Sequence, residues 1–170
     1  MINSFIATAA IAVFGFASAA NAHHASHQPF VQSESEQLLT VVQATGHRIL
    51  VDPRPFCDRD GLMGAASSAG DLIICETNHQ GDLDELSDTI RHEVLHLAQF
   101  CKARAHGSTH ALLLPDSTDD VQEYAVNELH FVGLGYEESS MLGENEARVL
   151  AHALDEWQVA EILLQECGEE

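Results

Sequence analysis

From Asp82 to about Arg104, apolar side chains return every three or four residues: Leu83, Leu86, Ile90, Val94, Leu97 and Cys101. That is the period of one face of an α-helix, so the spacing predicts a long helix here. Asp82 and Glu85 suit its start, and Lys102 and Arg104 suit the negative end of its dipole. A shorter helix is predicted over Ser33–Ala44, where Ser33 and Glu36 fit a capping box and Leu38, Leu39, Val41 and Val42 form the apolar face; Gly46 ends it. "HRILVDP" reads as a strand stopped by Pro53 and Pro55, and "DLIIC" as a second strand ending at Cys75. The small, Gly-rich "CDRDGLMGAASSAG" between them reads as a loop, and "HALLLP" as an apolar connection. Two more helices are expected, one over Ser117–Phe131 and one from about Gly143 to Glu166 carrying Ala147, Leu150, Leu154, Trp157 and Leu164. The expected class is α+β: mostly helical, with a small sheet and one long helix, in a single domain over 33–170.

At 170 residues the chain supports one domain with a sizeable core. Residues 1–22 stand apart from it. An apolar run from Phe5 to about Ala20 is followed by Ala20-Asn21-Ala22, the shape of a secretory signal cleaved after Ala22, although no Lys or Arg precedes the run. The next segment, 23–32, is polar and reads as a flexible tail with His23, His24 and His27 incidental to it. An exported chain accounts for the cysteines too. Cys57, Cys75, Cys101 and Cys167 have no C-x-x-C spacing and are expected as disulfides, preferably 57 with 75 and 101 with 167. Charge narrows the partners. Seven Lys and Arg stand against 27 Asp and Glu, a formal −20, which disfavours nucleic acid and anionic membrane surfaces.

The chemistry concentrates in "TIRHEVLHLAQFC", Thr89 to Cys101. His92 and His96 are one helical turn apart, so both imidazoles project from one side of the predicted helix and can share one tetrahedral zinc ion. Glu93 is offset around the helix and can act on a metal-activated water as general base without binding the metal. With uncharged residues at Thr89, Ile90, Val94, Leu95, Leu97 and Ala98, the stretch resembles the long H-E-x-x-H motif of zincin metallopeptidases. A metzincin-like site needs a histidine six residues after His96, where this chain has Lys102. The gluzincin kind takes a glutamate from a later helix, and "NEA", Asn145 to Ala147, resembles that segment of thermolysin-like peptidases. The resemblance therefore implies Glu146 as third ligand, with Glu123, Glu144 and His152 as alternatives. It departs from the family at Leu150, where an aspartate is usual.

The resemblance implies one Zn2+ per chain and a secreted or periplasmic peptidase. It would cleave a peptide or protein substrate, whose main chain would lie along the edge of the small sheet. Tyr124, Tyr136, His110 and His130 are available as oxyanion donors, with nothing in the sequence to choose among them. The competing expectation is a secreted protein that sequesters zinc or copper through its 11 histidines and many carboxylates without hydrolysis.

Overall fold

The computed structural model describes residues 33–109, 111–113 and 138–168. The expected signal segment, the tail 23–32, the expected helix at 117–131 with Glu123, and His110, Tyr124, His130 and Tyr136 lie outside the described residues.

The architecture is α+β, with four α-helices and a three-stranded sheet among the described residues. In chain order these are α1 (Ser33–Ala44), β1 (Arg48–Val51), β2 (Gly64–Ala66), β3 (Asp71–Ile74), α2 (Leu83–Ala105), α3 (Glu138–Ala153) and α4 (Glu156–Cys167). β3 is the middle strand, parallel to β1 and antiparallel to β2. Its side chains alternate as a strand's must, with Leu72 and Ile74 buried beneath α2.

α2 is the common partner of the fold, packing against β2, β3, α1, α3 and α4. Its predicted stripe is the core: Leu86, Ile90, Val94 and Leu97 are buried with Leu38 and Val42 of α1, Leu150 of α3, and Val159 and Leu163 of α4. Asp82 caps the helix, its Oδ1 accepting from the backbone N–H of Asp84 at 3.1 Å and of Glu85 at 3.0 Å. At the other end Lys102 donates to the Leu113 carbonyl at 2.8 Å, which ties the following segment to the helix.

Two expectations need correction. "MGAASS" contains a strand, β2, although it has none of the β-branched or aromatic residues that mark strands. It forms because small residues let the backbone approach α2: a Cβ built on Gly64 would lie 2.9 Å from Thr89 Cγ2 and 3.0 Å from Glu93 Cγ. The expected final helix is two. Asp155 starts α4 with a capping box shared with Gln158, and so ends the run at Leu154. Arg91 holds the corner, donating through Nε to the Ala151 carbonyl at 2.9 Å and through Nη1 to Glu156 Oε1 at 2.8 Å.

Both preferred disulfides are present, Cys57–Cys75 and Cys101–Cys167, and no cysteine is free. The first anchors the segment between β1 and β2 to the residue that follows β3. The second joins α2 to the last turn of α4. Among the described residues no helix is long and apolar enough to cross a membrane.

Candidate metal centre

His92 and His96 emerge from α2 one turn apart, as the spacing requires, with their rings edge to face at an interplanar angle of 89°. Their Nε2 atoms are 3.1 Å from each other. The third group that reaches them is Glu144, from the second turn of α3. Its Oε1 lies 3.2 Å from His92 Nε2, and its Oε2 lies 3.1 Å from His96 Nε2. Arg148, one turn further along α3, donates to Glu144 Oε1 at 2.9 Å.

Two imidazoles and one carboxylate are the donor set of a zinc site with an open position. The spacing agrees as well: zinc bonds of ~2.0–2.1 Å arranged tetrahedrally place ligand atoms about 3.3–3.4 Å apart. The three side chains therefore fit a divalent metal with little rearrangement. Without one they balance charge among themselves. Burial opposes charge on Glu144, but hydrogen bonds from His92 and His96 and their positive charge drive its carboxyl well below the usual carboxylate range. Burial likewise opposes charge on His96, yet Glu144, Glu93 and Gln99 together raise its value above that of ordinary histidine. A metal would replace the protons held there.

Glu146 is not among these groups. Residues two apart on a helix do not face each other, so with Glu144 turned toward the histidines Glu146 is turned elsewhere. It is fully buried, and its Oε2 accepts from Gln99 Nε2 at 2.9 Å and from the Leu113 backbone N–H at 2.8 Å. His152 is exposed in the last turn of α3, also outside the group. Of the expected donors, the fold brings together His92, His96 and Glu144.

Glu93 lies beside the cluster without joining it. It is 8 % exposed, and burial pushes its carboxyl above the ordinary value, partly offset by His92, His96 and a hydrogen bond from the Ala66 backbone N–H. Glu93, the histidines and Glu144 open onto a cleft of about 490 Å³. Gly64, Ala65 and Ala66 of β2 line it as well, with Leu62, Phe100 and Leu142 among its apolar residues.

Sequence reasoning missed the supports: the Ala66 N–H, Arg148, and Gln99, which contacts His96 Nδ1 at 2.8 Å. Gln99 had one available signal, its position three residues after His96 on the same helix. The Ala66 amide had none. A second group of potential ligands, His47 with Cys101 and Cys167, is disqualified because both sulfurs are bonded to each other. No family model, curated protein or solved structure matches the chain.

Proposed function

We propose that this protein is a zinc-dependent peptidase, exported after removal of residues 1–22, with His92, His96 and Glu144 as the protein ligands of one zinc ion. The observation that carries the reading is Glu93. A protein that only stored metal has no use for a carboxylate held one residue from a ligand, buried, outside the ligand set and facing a cleft. Two disulfides are compatible with an oxidising compartment.

Zinc bound there supplies Lewis acidity toward a water molecule and a peptide carbonyl. Glu93 receives the proton that the water loses on attack and delivers it to the leaving amine. Burial raises the proton affinity of Glu93 and so suits it to both transfers. The Ala66 N–H holds the carboxyl in place while its proton comes and goes. The substrate main chain has a place to pair: among the described residues β3 is the only strand that pairs with β2, and the three residues of β2 line the cleft. The apolar walls favour an extended substrate with an apolar side chain next to the cleaved bond, and the acidic surface favours basic residues further out.

The test is cleavage of denatured casein and of a quenched peptide library by zinc-loaded protein. Glu93→Gln is expected to keep about one zinc per chain and to lose about 10²–10⁴-fold in cleavage rate, the usual contribution of a general base. Wild-type protein that holds zinc but cleaves no peptide would favour sequestration instead.

A further inference from the structure

Gln99 is buried on α2, and its two amide ends are fixed by what they face. Nε2 lies 2.9 Å from the Gly143 carbonyl and 2.9 Å from Glu146 Oε2. A backbone carbonyl and a carboxylate both accept hydrogen bonds, so the NH₂ group must be on that side. The other end, Oε1, is then an oxygen with no hydrogen to give, and it lies 2.8 Å from His96 Nδ1. That contact is a hydrogen bond only if His96 Nδ1 carries the proton. Without a metal, Nε2 also donates to Glu144 Oε2 at 3.1 Å; once that proton gives way to a metal, the ring that keeps Nδ1–H presents its lone pair on Nε2, the atom facing His92 and Glu144.

We infer that Glu146 and Gln99 form a relay that sets the tautomer and orientation of His96, with Glu146 orienting the Gln99 amide and Gln99 orienting the imidazole. Both are positioning residues. The consequence for metal affinity rests on the zinc reading above; the tautomer does not. The relay gives Glu146 a role in place of ligation. The Leu113 N–H on Glu146 Oε2 and the Lys102 ammonium on the Leu113 carbonyl extend the relay to the segment after α2. Each acceptor along the line is therefore matched to a donor.

The deciding measurement is the ¹⁵N shift of both His96 ring nitrogens. It is made in the full chain, metal-free at alkaline pH and again after loading with zinc. Wild-type protein is expected to show a protonated Nδ1 in both states. Gln99→Met, similar in length but without the acceptor, should shift the metal-free ring toward the Nε2–H form and weaken zinc binding about 10–100-fold. A metal-free wild-type ring with Nδ1 unprotonated overturns the relay, and so does an Nδ1–H ring that persists unchanged in Gln99→Met. If Gln99→Met does not fold, the wild-type tautomer decides alone. Wild-type protein with Nδ1–H at His96 but no affinity for zinc would support the relay while removing the metal centre.

Discussion

Gly64→Ala tests whether β2 and the Glu93 turn of α2 are packed as closely as described. The added methyl carbon would meet Thr89 Cγ2 at 2.9 Å, Glu93 Cγ at 3.0 Å and the Ile73 carbonyl oxygen at 3.1 Å. Carbon atoms in contact prefer about 3.5–4.0 Å, so both carbon contacts are short by about half an ångström or more. Thr89 is β-branched and restricted in rotamer within a helix, and the Ile73 carbonyl belongs to the middle strand. Glu93 is the neighbour most free to swing. Overpacking of this kind costs about 1–3 kcal/mol. For a chain of this size each kcal/mol lowers Tm by about 2–4 °C. None of the crowded atoms belongs to His92, His96 or Glu144, so zinc affinity should change little. Cleavage should fall by up to about 10²-fold, as expected for a misplacement of roughly 1 Å near the chemistry. Urea unfolding, zinc competition and peptide cleavage measure the three quantities. Thr89→Ser removes the closest atom and should restore part of the stability, with a coupling of at least about 0.5 kcal/mol. Gly64→Ala within about 0.5 kcal/mol of wild type, uncoupled from Thr89→Ser, would refute the packing argument.

Removing Cys101–Cys167, which spans a sequence separation of 66, should cost about 4 kcal/mol by loop entropy, against about 3 kcal/mol for Cys57–Cys75 with its separation of 18. Urea unfolding of the two double-alanine variants checks the order, and a reversed ranking contradicts it. Glu144→Ala should abolish stoichiometric zinc binding, whereas Glu146→Ala should retain one zinc at weakened affinity and lose about 1–3 kcal/mol of stability per orphaned donor. Metal analysis showing the opposite pattern would return Glu146 to the ligand set. Burial opposes the charge of Glu156, but the Ser87 hydroxyl, its own backbone N–H and Arg91 hold its carboxyl below the ordinary value. Its charged form therefore stabilises the fold at neutral pH, in full above the unfolded value of about 4.3. The contribution disappears as pH falls through the lowered folded value. Glu156→Gln should be less stable at neutral pH and should lose less stability on acidification; acid-unfolding curves of the same slope and midpoint would rule this out.

Periodicity made α1 and α2 legible in the sequence because each carries one apolar face and an end signal, and Asp82 caps α2 as its chemistry requires. The pairing of His92 with His96 follows from helix geometry alone. The third member of the cluster does not. Glu144 and Glu146 sit two residues apart on α3, and which one faces α2 depends on the rotation of α3 about its axis, a property of packing. The pattern "NEA" pointed to Glu146, whereas in the fold it is Glu144 that faces the histidines. β2 was illegible for a related reason. Its residues are chosen by what α2 leaves room for, so tertiary contact replaces the local propensity that announces β1 and β3. The break at Asp155 was readable, since Asp155 and Gln158 have the spacing of a capping box, but the continuous apolar pattern across it masked the signal.

The bridge between Cys101 and Cys167 also sets the covalent topology of the molecule. It closes a ring that contains Glu144 and leaves His92 and His96 on the part of α2 that leads into it. A single peptide cut anywhere between Lys102 and Glu166 opens the ring without releasing a fragment. A molecule nicked once in this way would keep its mass under non-reducing conditions and separate into two chains only on reduction. His92, His96 and Glu144 would stay on one covalent body, joined through sulfur where the main chain was broken.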